Sequence, residues 1–213
     1  MAGYDVIDVA SGPDGCVSFD DITDPVTGKV KRGFNSVLQE HGQDIAGLMI
    51  TNPNTLGIFE SRIGDVCSEI HRVGGLVYMD GANMNALVGV ARPGDFGIDV
   101  MHMNLHKTMS TPHGGGGPGA GPVACIEALE PFLPRPIVLR ETQKIGEGEV
   151  PEHRYRWDWN RPQSIGKVHT FFGNFGMLVR ALTYCMSHGS DGLREATLRA
   201  IVNANYVRSQ LVG

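Results

Sequence analysis

Two short stretches hold most of the side chains that can do chemistry. One is Met79-Asp80-Gly81-Ala82-Asn83-Met84-Asn85. The other runs Asn104-Leu105-His106-Lys107-Thr108, then through Thr111-Pro112-His113 into four glycines, Pro118 and Gly119. A lysine amine held in a pocket condenses with an aldehyde to give a Schiff base. A carboxylate such as Asp80, facing the same pocket, keeps a pyridinium nitrogen protonated and makes the ring an electron sink. These are the two main tasks a protein performs toward pyridoxal phosphate (PLP). The glycine run lets backbone come close to a bulky planar group without side-chain clash.

The surrounding pattern has to bring the two stretches together. Tyr4–Val9 alternates like a half-buried strand, and Ser11–Gly15 ends it as a turn. Gly33–Glu40 reads as a short helix with Phe34, Val37 and Leu38 on one side. Ile45–Ile50 is a continuous apolar run, expected as a strand covered on both faces. After the loop Asn52-Pro53-Asn54, a stripe of Ile58, Phe59, Ile63, Val66, Ile70 and Val73 predicts a helix stopped by Gly74-Gly75. Leu76–Met79 and Asp99–Met103 are the next strands. Strand, helix and strand at this spacing predict βαβ units in an α/β fold, a mostly parallel sheet with flanking helices. Asp80 then stands at the carboxyl end of one strand and Lys107 follows another, at the edge where open parallel sheets take their ligands. Further on, Arg154–Trp159 predicts a strand or hairpin arm. Two helices follow, one lined by Phe175, Leu178, Val179, Leu182, Cys185 and Met186. The other carries Leu193, Leu198, Ile201, Val202 and Leu211, with Ser190 or Asp191 as its cap.

Each of these residues also has an ordinary reading. Lys107 alone fits a solvated surface lysine, Asp80 the cap of a helix starting near Ala82, Ala82 plain packing, and His106 support for the lysine's turn. His102, His106 and His113 suggest a metal, but positions 102 and 106 share a face only on a helix, so no metal is expected. The Gly114–Gly119 run lacks the G-K-[ST] ending of a nucleotide P-loop. The methionines at 79, 84, 101, 103 and 109 read as gap-filling core. Trp157 and Trp159 read as a solvated hairpin or a subunit contact.

Composition narrows the classes. Of 213 residues, 41% are hydrophobic and 19% charged, enough to bury a core. The net charge of -5 argues against nucleic acid as the main partner. No apolar run reaches the ~18–20 residues of a membrane span, and the N-terminus shows no secretion signal. Cys16, Cys67, Cys125 and Cys185 are widely separated, without a C-x-x-C pair, so thiols in a reducing cytoplasm are expected rather than disulfides or zinc.

The segments D-G-A-N-M-N-A (80–86), G-D-F-G-I-D-V-M-H-M-N-L-H-K-T (94–108) and P-H-G-G-G-G-P-G-A-G-P (112–122) resemble the PLP-dependent glycine decarboxylases, the P-proteins of the glycine cleavage system. So do T-N-P-N-T-L-G-I-F-E (51–60), R-P-Q-S-I-G-K-V-H-T-F-F-G-N-F-G (161–176) and N-A-N-Y (203–206). The tail is most similar to the second subunit found where the enzyme is split into two chains.

The resemblance implies a partial PLP-dependent transferase fold of type I, with an aspartate-aminotransferase-like large domain. Residues 1–150 would form the central and C-terminal part of that domain. Residues 151–213 would form a hairpin and helices leading toward a small C-terminal domain. It implies that Lys107 is the Schiff-base lysine and Asp80 the partner of the pyridine nitrogen. Ala82 would lie beside the ring and His106 near the cofactor phosphate. His113, Gly114 and Gly115 would belong to the active-site loop. His169 and Asn174 fall in a matching segment without an assigned role. The family reaction removes the carboxylate of glycine as carbon dioxide and passes the aminomethyl group to the lipoyl arm of H-protein. Its partners are P-protein subunit 1 and H-protein. Family second subunits run to more than twice this length. The upstream family sequence supplies the phosphate-binding turn and the ring-stacking side chain. The chain alone is therefore expected to bind PLP weakly or not at all. The alternatives are a catalytically incompetent piece or assembly element of that enzyme, or another fold-type-I PLP enzyme, against which the 80–85 and 113–119 strings speak.

Overall fold

A computed structural model describes residues 3–143 and 152–212. The chain divides into two compact units, 1–124 with 174–213, and 125–173. The domain boundary expected at 150 and 151 lies outside the described residues.

The first unit carries a short antiparallel pair, β1 (Ile22–Thr23) and β2 (Val30–Lys31), and helix α1 (Phe34–His41). Next come β3 (Gly47–Thr51), α2 (Ile63–Arg72), β4 (Leu76–Gly81), β5 (Val100–Met103), the one-turn helix α3 (Leu105–Thr108) and β6 (Val123–Cys125). The main sheet has the order β3-β4-β5-β6. Within it β3 and β4 run parallel, as do β4 and β5, and Thr51 pairs with Asp80 and Asp80 with His102. The α/β expectation is met: β3, α2 and β4 form one crossover unit, as the alternation of apolar strand and amphipathic stripe required.

β4 shows why the sheet sits as it does. Val77, Met79 and Gly81 are buried, while Tyr78 and Asp80 between them are partly exposed. A strand turns successive side chains to opposite faces. Val77 and Met79 therefore share one core with Met101 of β5, Phe34 and Leu38 of α1, and Ile63, Val66, Cys67 and Ile70 of α2. Full burial of side chains of this size stabilises by about 1.5–3 kcal/mol each. Asp99 fastens the end of α2 to this sheet. Its buried Oδ2 accepts the Val77 N–H at 2.6 Å and lies 2.8 Å from His71 Nε2.

Three expectations are corrected. Tyr4–Val9 is not a strand: the segment is unpaired, and Val6 is 87% exposed. The alternation is present, but no neighbouring strand takes its backbone hydrogen bonds. The Ile45–Ile50 run is not covered on both faces. Its strand is Gly47–Thr51 at the end of the sheet order, and Met49 is 66% exposed. The helix expected from Ile58 begins at Ile63. Ile58 and Phe59 belong to a loop closed by Asn54, which accepts the Leu56 and Ile58 N–H groups at Oδ1, and Phe59 meets Phe96 edge-on.

α4 spans Phe175–Val212 and is broken at Gly189, whose φ of 65° and ψ of -177° suit almost no other residue. The two expected helices are therefore both present, with the break one residue before Ser190. Cys185 Sγ stands 3.4 Å from Met109 Sδ. No described helix is long and apolar enough to cross a membrane.

The second unit pairs β7 (Ile137–Gln143) with β8 (Glu152–Asp158) in antiparallel fashion, as the alternation at 154–159 predicts a strand there. Arg161 Nη2 donates to Glu130 Oε1 at 2.7 Å, and Trp157 stacks on Phe172 with ring centroids 4.5 Å apart.

Candidate cofactor site

Asp80 is the penultimate residue of β4, on the face that the core leaves partly open. Its Oδ1 accepts the Ala82 N–H at 2.8 Å, which turns the chain out of the strand. His102, its register partner on β5, brings Nε2 to 3.3 Å from the same oxygen. Oδ2 takes no hydrogen bond from a described residue. His102 Nδ1 in turn contacts the Tyr78 hydroxyl, and the two rings lie 5.8 Å apart at 23°. Burial, and then the charge of Asp80, push the Tyr78 hydroxyl above its usual 10.

β5 runs parallel to β4, so its carboxyl end opens at the same edge. Asn104 leaves the strand and α3 starts at once, placing Lys107 one turn beyond. The Lys107 N–H donates to Asn104 O at 3.1 Å, and the side chain is exposed, in no ion pair among the described residues. α3 packs against the turn at Met84–Ala86 that follows Asp80. Anion and amine thus rise from adjacent strands at one edge.

Gly81 governs how close those strands come. A Cβ there would lie 2.0 Å from the His102 carbonyl oxygen, so no other residue fits without parting the strands.

His106 meets His113 edge-on, ring centroids 4.8 Å apart. Burial first, then His113 and Lys107, hold its imidazole below the usual 6.5, which favours the neutral form. Its Nδ1 is buried without a partner, as is Thr108 Oγ1 on the other side of Lys107. His113 folds the glycine loop over itself: its Nδ1 accepts the Gly115 N–H at 3.0 Å and its carbonyl the Gly117 N–H at 2.7 Å. Gly114 and Gly115 lie exposed in that loop. Asn174 donates to Gly119 O, so the loop's far end is tied to the start of α4. His169 lies in the second unit, against Phe171.

Sequence reasoning missed three contributors at this edge. His102 was weighed only as a metal ligand and set aside. Asn83 donates to the carbonyls of Pro53 and Asn54 at 2.9 and 3.0 Å, bracing the loop after β3 against the turn after β4. Buried Asn52 accepts the Glu60 N–H at 3.0 Å, while its own Nδ2 has no partner. The signal for the asparagines was their density beside two strand ends.

A parallel sheet with its anion and amine at one carboxyl edge defines a class: this is a partial PLP-dependent transferase fold of type I. It resembles the crystal structure of glycine decarboxylase (P-protein) of the glycine cleavage system, in inhibitor-bound form. The TM-score is 0.65 and the sequence identity 22%, covering 80% of this chain and 38% of that one. No family model matches. The chain is 48% identical over 211 residues to the probable glycine dehydrogenase (decarboxylating) subunit 2 of Alkaliphilus oremlandii, covering 99% of this chain and 38% of the relative. It is 48% identical over 213 residues to that of Pyrococcus furiosus, covering 100% and 38%. With that of Desulforamulus reducens it shares 52% over 170 residues, covering 80% and 33%. The chain is thus related along its whole length to glycine dehydrogenase (decarboxylating) subunit 2, and it spans well under half the length of these relatives.

Proposed function

We propose that this chain carries the Schiff-base lysine and the ring-nitrogen carboxylate of a PLP-dependent glycine decarboxylase. The whole protein would act with P-protein subunit 1 and pass the aminomethyl group of glycine to the lipoyl arm of H-protein. The observation that supports this best is the shared carboxyl edge of Asp80 and Lys107, within a sequence 44–52% identical to glycine dehydrogenase subunit 2. Four free thiols fit a reducing cytoplasm.

The residues at the edge suit PLP. Lys107 offers an amine for the aldehyde. Asp80 Oδ2 is free to face a ring nitrogen. His106 Nδ1 and Thr108 Oγ1 are buried polar atoms in want of partners, either side of the lysine in sequence. When bound, PLP supplies a sink for the electron pair left when glycine loses its carboxylate. The chain supplies the rest. Lys107 Nζ would be the group that holds the aldehyde, and its amine could carry a proton when not so engaged. Asp80 Oδ2 would stand beside the ring nitrogen, where a charge pair counts for more as the bound group excludes water. Ala82 adds only a methyl beside the turn, leaving room for a flat group. Neutral His106 can accept or donate a hydrogen bond without adding charge. His113 stands against His106, and the glycines after it add backbone without side-chain bulk.

Reductive trapping tests this even when binding is weak, since each captured molecule stays. The chain is incubated with excess PLP, reduced with borohydride, digested and mapped by mass spectrometry. The pyridoxyl mass should fall on Lys107 well ahead of Lys29, Lys31 and Lys167, and the advantage should vanish in Lys107→Ala. Even labelling of all lysines would overturn the assignment. For the whole reaction, exchange of labelled bicarbonate into glycine is measured with subunit 1 and H-protein added. The lone chain is expected to give none.

A further inference from the structure

Asp80 is not held by its own turn alone. Three side chains from two strands form one row on the partly open face of the sheet: Tyr78 and Asp80 on β4, His102 on β5. The Tyr78 hydroxyl reaches His102 Nδ1, and His102 Nε2 stands 3.3 Å from Asp80 Oδ1. A neutral imidazole carries one proton and one lone pair. If Nδ1 carried the proton, the Nε2 lone pair would face a carboxylate oxygen, which is repulsive. With the hydroxyl donating to Nδ1, the proton sits on Nε2, the ring nitrogen nearer Asp80 Oδ1. The tyrosine thus selects the tautomer that attracts the carboxylate. Its raised pKa keeps the hydroxyl able to donate.

The consequence lies on the other oxygen. Oδ1 accepts the Ala82 N–H at 2.8 Å and has His102 Nε2 3.3 Å away, while Oδ2 takes no hydrogen bond from a described residue. We infer that His102 is a positioning residue: set by Tyr78, it fixes the rotamer of Asp80 so that Oδ2 faces the ring nitrogen of the cofactor. This rests on the PLP reading of Asp80 and extends it to two residues that touch neither cofactor nor substrate. A swing of Asp80 about its Cα–Cβ bond would give up the Ala82 hydrogen bond and the attraction of the His102 ring together.

The test has two arms. The first needs no cofactor. In the full chain, nitrogen NMR of the His102 ring should show the proton on Nε2. Both Tyr78→Phe and Asp80→Asn should give a mixture of tautomers. A His102 ring that both changes leave as it was would overturn the proposal. The second arm uses PLP labelled at its ring nitrogen, added in excess. In the native chain the nitrogen should read as protonated. In His102→Leu the protonated share should fall and PLP affinity should drop roughly fivefold, about the net worth of one hydrogen bond. His102→Gln, which keeps a donor, should recover much of both. Unchanged nitrogen protonation in a folded His102→Leu would reduce His102 to packing and defeat the proposal. If the leucine variant does not fold, Tyr78→Phe carries the same readout with a smaller shift. Should the native chain take up no PLP at Lys107, the functional reading of this edge fails, while the tautomer arm still decides whether His102 and Asp80 are coupled.

Discussion

The two sides of β4 are built to different rules. On the side of α1 and α2, Val77 and Met79 are sealed against Ile70, Val66 and Phe34, and a buried carboxylate there, Asp99, spends its Oδ2 on Val77 N–H and His71. At the carboxyl edge, by contrast, Asp80 keeps an oxygen open, His106 Nδ1 and Thr108 Oγ1 lack partners, and Lys107 stands exposed. Buried polar atoms are nearly always satisfied, so their clustering beside a lysine marks a place shaped for something besides folding. One side of the strand holds the sheet together, and the other gathers the polar groups that the PLP reading assigns to a cofactor.

That contrast can be broken by substitutions that should separate stability from chemistry. The largest effect is expected from Asp80→Asn in the whole enzyme with its partners. If Asp80 faces the ring nitrogen as proposed, loss of its charge should cut glycine–bicarbonate exchange by about a hundredfold or more. The melting temperature of this chain should hardly move. A variant that melts early instead would put Asp80 on the structural side. Ile70→Ala does the opposite. It empties a fully enclosed position and should cost about 2–5 kcal/mol in urea unfolding, while any folded fraction still labels at Lys107. Gly189→Ala forces a side chain into a backbone region reserved for glycine and should cost on the order of 1–3 kcal/mol, again without shifting the label.

Smaller effects sharpen the comparison. His106 protonates less readily when folded than its usual 6.5, so the unfolded chain binds more protons just below that value. Stability should therefore rise with pH up to about 6.5 and fall on acidification below it. His106→Gln should flatten that limb in thermal melts taken from pH 5 to 7, and an unchanged limb would count against a shielded imidazole. On the core side, burial and then Asp99 push the Cys67 thiol up to about 11. In native protein Cys67 should be the slowest of the four thiols to react with iodoacetamide at pH 8, catching up in urea.

Much of this was readable from residue order. The stripe at 63, 66 and 70 and the strands at 76–79 and 99–103 follow from apolar spacing, and spacing alone put Asp80 and Lys107 at strand ends. Tyr4–Val9 misled because alternation describes a strand's faces but not whether a neighbour exists to pair with it. Ile45–Ile50 misled because an apolar run does not reveal a place at the end of the sheet order. Ile58 and Phe59 continued the helical stripe, yet Asn54 captured their segment in a turn. His102 could not be found at all from local spacing. Its partnership with Asp80 exists only through the register of two strands 22 positions apart along the chain. The asparagines at 52, 54 and 83 were visible as a motif, but their work as braces depends on where three loops meet.

Gly81 has a further bearing on how the lysine is presented. With no methyl at that place, β4 and β5 lie flush, and α3 leaves from a fixed starting line. An alanine there would act as a shim, wedged against the His102 carbonyl, tipping the amine away from its anion while leaving every reactive group intact. The gauge of this edge is therefore written in an atom that is missing, and widening it by one carbon should disable the pair as surely as removing either member.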